Sequence, residues 1–206
     1  MASVAEWLTG LFAFLGPAGT LIALFLVFVI DAAVIPALPE LAVVLSFLYR
    51  TPGTDPVPWA LLLLGMAIAG EVVGNTLMFL WVRKLLVERG HMPGFVQRLM
   101  KGWTQMLLVR DERIILVNRI APVVPFVGAF IAVVGWNYPK SLAYIVLGAA
   151  AKYTLLLVLV GYLGVAYDPD TATLLTVGAV VVLVIASLVA SFVLRRRMAV
   201  PPAKPS

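Results

Sequence analysis

Asp31-Ala-Ala-Val-Ile-Pro36-Ala-Leu-Pro39-Glu40 and Arg119-Ile-Ala-Pro122-Val-Val-Pro125 are the two stretches that decide how this chain folds. Two prolines three residues apart remove two helical N–H donors and break a helix. Both stretches lie in apolar surroundings, and both carry charge where lipid tails would be. Pro122 and Pro125 follow Pro36 and Pro39 at one common spacing. Broken backbone at membrane depth persists only where protein or a wet cavity surrounds it. A duplicated break in corresponding positions of two halves points to the binding site of a transporter.

The rest of the composition agrees with a membrane setting. The chain has 206 residues, 63% of them hydrophobic and only 12% charged, with a mean hydropathy of +1.07. A soluble domain is about half apolar and about a quarter charged. This length suits one membrane domain of about four spans plus shorter inserted segments. With no cysteine and His91 as the single histidine, no thiolate or histidine-built metal or catalytic site is expected. The net charge of +5 fits anionic lipid and the positive-inside rule better than nucleic acid. No cofactor is expected.

From the two breaks outward, the expected fold class is an all-α polytopic membrane protein. It is an inverted repeat of re-entrant hairpin plus transmembrane helix, with flanking spans and interfacial amphipathic helices. Residues 1–16 form a short interfacial helix, which stops at Gly16-Pro17 and presents Trp7, Leu8, Leu11, Phe12 and Leu15 on one face. A single membrane domain covers 17–194. Its spans are about 18–31, 58–82, 141–165 and 172–194, with Trp59 and Trp81 near the two interfaces of the second. Its re-entrant hairpins are about 32–49 and 114–135, each too short and too interrupted for a full crossing. Between the halves, an amphipathic helix over about 94–109 lies on the membrane or covers the protein's own core. The basic tail, 195–206, is expected to be disordered. Basic residues cluster in 83–113 (Arg83, Lys84, Arg89, Arg98, Lys101, Arg110, Arg113) and at Arg195-Arg196-Arg197. Both regions therefore belong in the cytoplasm, and the topology closes only if both hairpins are re-entrant and oppositely inserted.

Five ionisable residues fall at membrane depth: Asp31, Glu40, Glu71, Arg119 and Lys152. Each costs roughly 2.5–3.5 kcal/mol at a helix centre on insertion scales, so such groups face a cavity or one another. Structural roles stand beside functional ones. Asp31 and Arg119 can cap or snorkel, and Glu40 can favour a helix N-terminus. Glu71 and Lys152, each in the middle of its span, can form a static pair. The proline elements can be kinks.

The order of these motifs resembles the DedA family, also called SNARE-associated or VTT-domain membrane proteins. The resemblance covers about residues 25–165. It rests on Asp31, Pro36, Pro39 and Glu40 in the first hairpin, and on Gly70, Gly74 and Asn75 in the span that follows. Arg119, Pro122 and Gly135 carry it in the second hairpin, and Gly148 with Gly161-Tyr162-Leu163-Gly164 in the next span. Many bacterial members carry a second arginine where this chain has Pro125, so it looks more like the R-x-x-P-x-x-P branch. Lys152 stands where many members have an aromatic residue.

The resemblance implies hairpins that meet near the midplane. It also implies transport of a lipid phosphate, either a polyprenyl phosphate or a phospholipid, often linked to a proton or sodium gradient. The residues suit that chemistry. A guanidinium or a helix N-terminus binds a phosphate, and a carboxylate that changes protonation in transit can couple to a gradient. The expected substrate-binding residues are Arg119, Lys152, Pro36, Pro39, Pro122 and Pro125. The expected ion-coupling residues are Asp31, Glu40 and Glu71. The expected function is a flippase in the plasma membrane with both termini cytoplasmic. Its partners would be membrane lipids and protons or sodium, with no nucleic acid and a possible homodimer. The alternative is an uncoupled scramblase or an assembly scaffold. No Ser/His pair, HExxH motif or metal cluster supports an enzyme.

Overall fold

A computed structural model describes residues 4–33, 39–88, 112–120 and 126–166, together with Gly178, Val181, Val182, Ile185 and Val189. The described residues are helical, with no strand among them. Three helices are long and apolar enough to cross a membrane, over Gly10–Ala33, Pro56–Val87 and Tyr138–Tyr162. The sequence expectation of an α-helical chain with membrane spans holds at that level. The amphipathic segment 94–109 and the tail 195–206 lie outside the described residues. So does most of the fourth span, 172–194, apart from the five single positions.

Helix α1 runs Val4–Ala33 and is broken at Gly16, whose φ of 63° and ψ of 179° are not helical. Only glycine adopts that conformation without steric cost. Pro17 then opens the second segment, where its missing N–H costs nothing. The stop expected at Gly16-Pro17 is therefore a sharp bend between two helical pieces. Phe12 on the first piece stacks on Tyr49, with ring centroids 5.9 Å apart.

Helix α2 (Pro39–Leu48) follows the first proline element and has ten residues. At 1.5 Å per residue it is about 15 Å long, roughly half a hydrocarbon core. Helix α3 (Pro56–Val82) starts with a side-chain cap: Val57 N–H donates to Asp55 Oδ1 at 3.0 Å, and Pro56 occupies the first turn. This pairing of an aspartate cap with proline is a strong start signal. The helix continues as one wider, π-type turn over Arg83–Val87.

The chain after α3 has two short helices followed by a long one. Helix α4 (Ile114–Ile120) has seven residues and α5 (Val127–Val134) has eight, so neither can cross a bilayer alone. Gly135, at φ 76°, closes α5 with its N–H on Ile131 O. Asn137 Oδ1 then accepts from Lys140 N–H at 3.0 Å, which caps the long helix α6 (Tyr138–Ala166).

Small residues set how these elements pack. At Gly70, an added Cβ would lie 2.5 Å from Phe28 Cβ and 2.8 Å from Phe25 O. At Gly74 it would lie 2.7 Å from both Ala32 Cβ and Val29 O. The Gly-x-x-x-Gly of α3 is thus the seam against α1, as small residues in membrane helices allow. One core gathers Leu24, Phe28, Val43, Val44, Leu63, Ala67, Tyr153 and Val160 from α1, α2, α3 and α6. A second gathers Phe79, Val82, Ile115, Ile131 and Ile145 from α3, α4, α5 and α6. Trp59, expected near one interface, is buried in the first turn of α3. It is 4% exposed, and its indole N–H donates to Ser46 O at 2.9 Å. A buried indole needs such a partner, and here the bond ties the end of α2 to α3.

Candidate functional site

The short helices α2 and α5 both begin at a proline element, and the first turn of each lacks internal partners for its N–H groups. Each finds a polar contact on the long helix of the other half. In α5, Phe126 precedes the helix with φ 50° and ψ 61° and gives no side-chain cap. It is the one non-glycine residue with positive φ among those described. Such a conformation persists where the surroundings over-determine it, and here Asn75 of α3 does so. Gly128 N–H donates to Asn75 Oδ1 at 3.1 Å, while Asn75 Nδ2 donates to Glu71 O at 2.9 Å. A Cβ on Gly128 would fall 2.3 Å from Asn75 O, so the backbones of α5 and α3 touch at this point. Asn75 is 3% exposed and acts as a cap donated across the fold.

In α2 the contact is ionic. The Lys152 ammonium, in the middle of α6, donates to the carboxylate of Glu40 in the first turn of α2. The ammonium also lies 5.4 Å from the centre of the Tyr153 ring. That ring meets Phe28 of α1 edge-on at 5.0 Å, so α1, α2 and α6 converge on Lys152.

The expected pairing of Lys152 with Glu71 is thus corrected: Lys152 belongs to Glu40. The reason is the helical face. Glu71 lies one turn from Asn75, so both share the side of α3 that meets α5, whereas Lys152 meets α2. Glu71 itself is 3% exposed and, like Asp31, is not without a partner. Asp31 lies in the last turn of α1, partly buried, just before the first break. Pro39 is the buried first residue of α2. Pro36, Pro122 and Pro125 lie outside the described residues. Arg119 lies in α4, and its side chain is outside them too. The structure thus brings Glu40 and Lys152 together, with Pro39 beside them, and puts Glu71 with Asn75 in a second buried polar spot on α3.

Sequence reasoning missed Gly128 and the capping role of Asn75. Asn75 was visible as a polar residue next to Gly74 within an apolar span, which is itself a signal for a buried partner. Nothing in the sequence marks Gly128 as the place where a second backbone arrives.

The charges outside the long helices have a different character. Glu112, just before α4, accepts from Asn137 N–H at 3.3 Å and from Lys140 Nζ at 3.0 Å. Hydrogen bonding within its own backbone, followed by the Lys140 ammonium, holds its carboxyl below the ordinary carboxylate range. This latch joins the start of α4 to the start of α6 and so closes the second short-helix pair at its open end. No group of three or more histidine, aspartate or glutamate residues able to hold a metal occurs among the described residues. Comparison with protein-family models, with curated proteins and with solved structures gives no match.

Proposed function

We propose that the chain is a membrane transporter that moves a lipid phosphate across the bilayer, in the manner of the DedA family that its motif order resembles. The observation that carries this reading is the crossed docking of the two broken elements. The first turn of α2 meets Lys152 of α6, and the first turn of α5 meets Asn75 of α3. In an inverted repeat, two discontinuous helices meet on the facing halves, and their first turns form the substrate and ion site. On this reading the segments 32–49, which contains α2, and 114–135, which contains α4 and α5, are re-entrant hairpins inserted from opposite sides. The phosphate is bound by Lys152 and Arg119, and the carboxylates of Asp31, Glu40 and Glu71 serve a proton or sodium gradient. The plasma membrane is the site of action, with both termini in the cytoplasm.

Reconstitution into liposomes tests the proposal. Labelled polyprenyl phosphate, phospholipid and a phosphate-free lipid would each be followed across the bilayer, with and without a pH or sodium gradient. Saturable movement of one phosphate-bearing lipid, faster with a gradient, supports transport. Equal and gradient-independent movement of all three would replace it with an uncoupled scramblase, and no movement at all with a scaffold.

A further inference from the structure

The Glu40–Lys152 pair differs in kind from the contacts of Asn75 and Trp59. Asn75, Trp59 and their partners are neutral groups sealed in the fold. The ion pair is not sealed. The side chains of Lys152 and Glu40 keep 30% and 22% of their exposure. Part of each side chain thus stays open at the surface. Lys152 also has a single anionic partner among its described contacts, the carboxylate of Glu40. An ammonium left unpaired in a low-dielectric setting is costly, so any event that draws Glu40 away must deliver another anion to Lys152.

We infer that Lys152 is a phosphate subsite that Glu40 occupies as a built-in substitute for the ligand, so that a phosphate group and the Glu40 carboxylate compete for one ammonium. This rests on the transport reading and deepens it, because it makes substrate entry and release of a carboxylate the same event. The geometry suits an exchange of this kind. Glu40 stands in the first turn of α2, directly after Pro39, and α2 is a helix of only ten residues. Lys152 is fixed in the middle of a 29-residue helix. The short element can shift while the long one holds. A carboxylate offers the ammonium a single negative charge, and a phosphate monoester offers up to two, with three acceptor oxygens. The ligand is therefore able to displace the substitute. The shared chemistry is a phosphate group, whether on a lipid or free in water.

The test is binding to the full chain in nanodiscs, using a short-chain polyprenyl phosphate and, separately, inorganic phosphate. A phosphate-free lipid of the same chain length is the control. Glu40→Gln removes the competitor and should bind phosphate about tenfold more tightly than the wild type, the scale of one charge-assisted hydrogen bond. Glu40→Asp keeps the charge but shortens its reach, and it should fall between the two. It also carries the test if the glutamine variant fails to fold. Lys152→Met should lose the phosphate-dependent part of binding. Tightening toward the polyprenyl phosphate places the ligand in the bilayer, and tightening toward inorganic phosphate alone keeps the subsite while removing the lipid-transport reading. If neither Glu40 variant binds either probe more tightly, or if the phosphate-free lipid tightens equally, the competition does not exist.

Discussion

Gly74→Ala offers a sharp test of the α1–α3 seam, because Gly65 on the same helix provides an internal control. An added Cβ at Gly65 meets nothing within 4 Å, whereas at Gly74 it would lie 2.7 Å from the Val29 carbonyl oxygen and from Ala32 Cβ. Both neighbours at Gly74 are backbone or Cβ atoms, so no rotamer change can relieve the contact. The helices must separate by about half an ångström or more, and a gap of that size forfeits roughly a quarter of each contact's dispersion energy. The loss spreads along the seam, where Leu24 and Phe28 of α1 pack with Leu63 and Ala67 of α3. Overpacking of this kind costs about 1–3 kcal/mol, against a gain of about 1 kcal/mol from replacing glycine within a helix. Gly65→Ala receives only the gain. The two variants should therefore differ by about 1–3 kcal/mol, with Gly65→Ala at or above the wild type. Reversible unfolding in bicelles, followed by the exposure of a labelled α1, measures this difference. Equal shifts for both alanines would refute the close approach of α1 and α3.

Three further outcomes follow from the polar contacts. Lys152→Met and Glu40→Gln should each destabilise the fold more than the double variant does, with a coupling of roughly 1–2 kcal/mol for a pair that is partly exposed; additive losses in the same unfolding assay would separate the two residues. Glu112 has its folded-state carboxyl pKa depressed by its own backbone and by Lys140, so its contribution is present above its unfolded value and lost as pH falls through the lower folded value. Glu112→Gln should accordingly flatten the acid limb of a stability–pH profile and leave its slope near neutral pH unchanged, and an unaltered acid limb would contradict the latch. A cysteine at Gly53 should react with an impermeant thiol reagent in intact cells, and one at Glu88 should not, if the proposed topology, with the basic cluster after α3 in the cytoplasm, is right. The reverse pattern would invert the topology.

The sequence showed the long elements well, because they rest on local rules. Apolar runs of more than 20 residues and prolines three apart are read without tertiary knowledge. The interruption at Gly16-Pro17 was legible for that reason, whereas α3 starts at Pro56, two residues before the expected 58. Partner choice was not. Glu71 and Lys152 look alike as mid-span charges, but their relative rotation depends on which neighbour each helix face meets. Only packing turned Lys152 toward Glu40 and Glu71 toward the side of Asn75. Gly128 was invisible because one glycine in an apolar run does not announce a second backbone arriving 53 positions away in sequence. The partner of Trp59 was hidden for a related reason. The tryptophan's amphipathic ring suits a membrane interface, and the sequence did not reveal that Ser46 O would accept its N–H.

The central claim is that carboxylates at the first break link lipid-phosphate movement to an ion gradient. Its most direct measurement compares two modes in the same proteoliposomes, passive exchange and gradient-driven accumulation of a labelled polyprenyl phosphate, for the wild type, Glu40→Gln and Asp31→Asn. The account predicts that the wild type accumulates the lipid phosphate against its gradient. At least one amide variant should lose that accumulation while keeping passive exchange, since Lys152 remains to receive the phosphate. Full gradient-driven accumulation in both amide variants would contradict the claim and move coupling away from the first break.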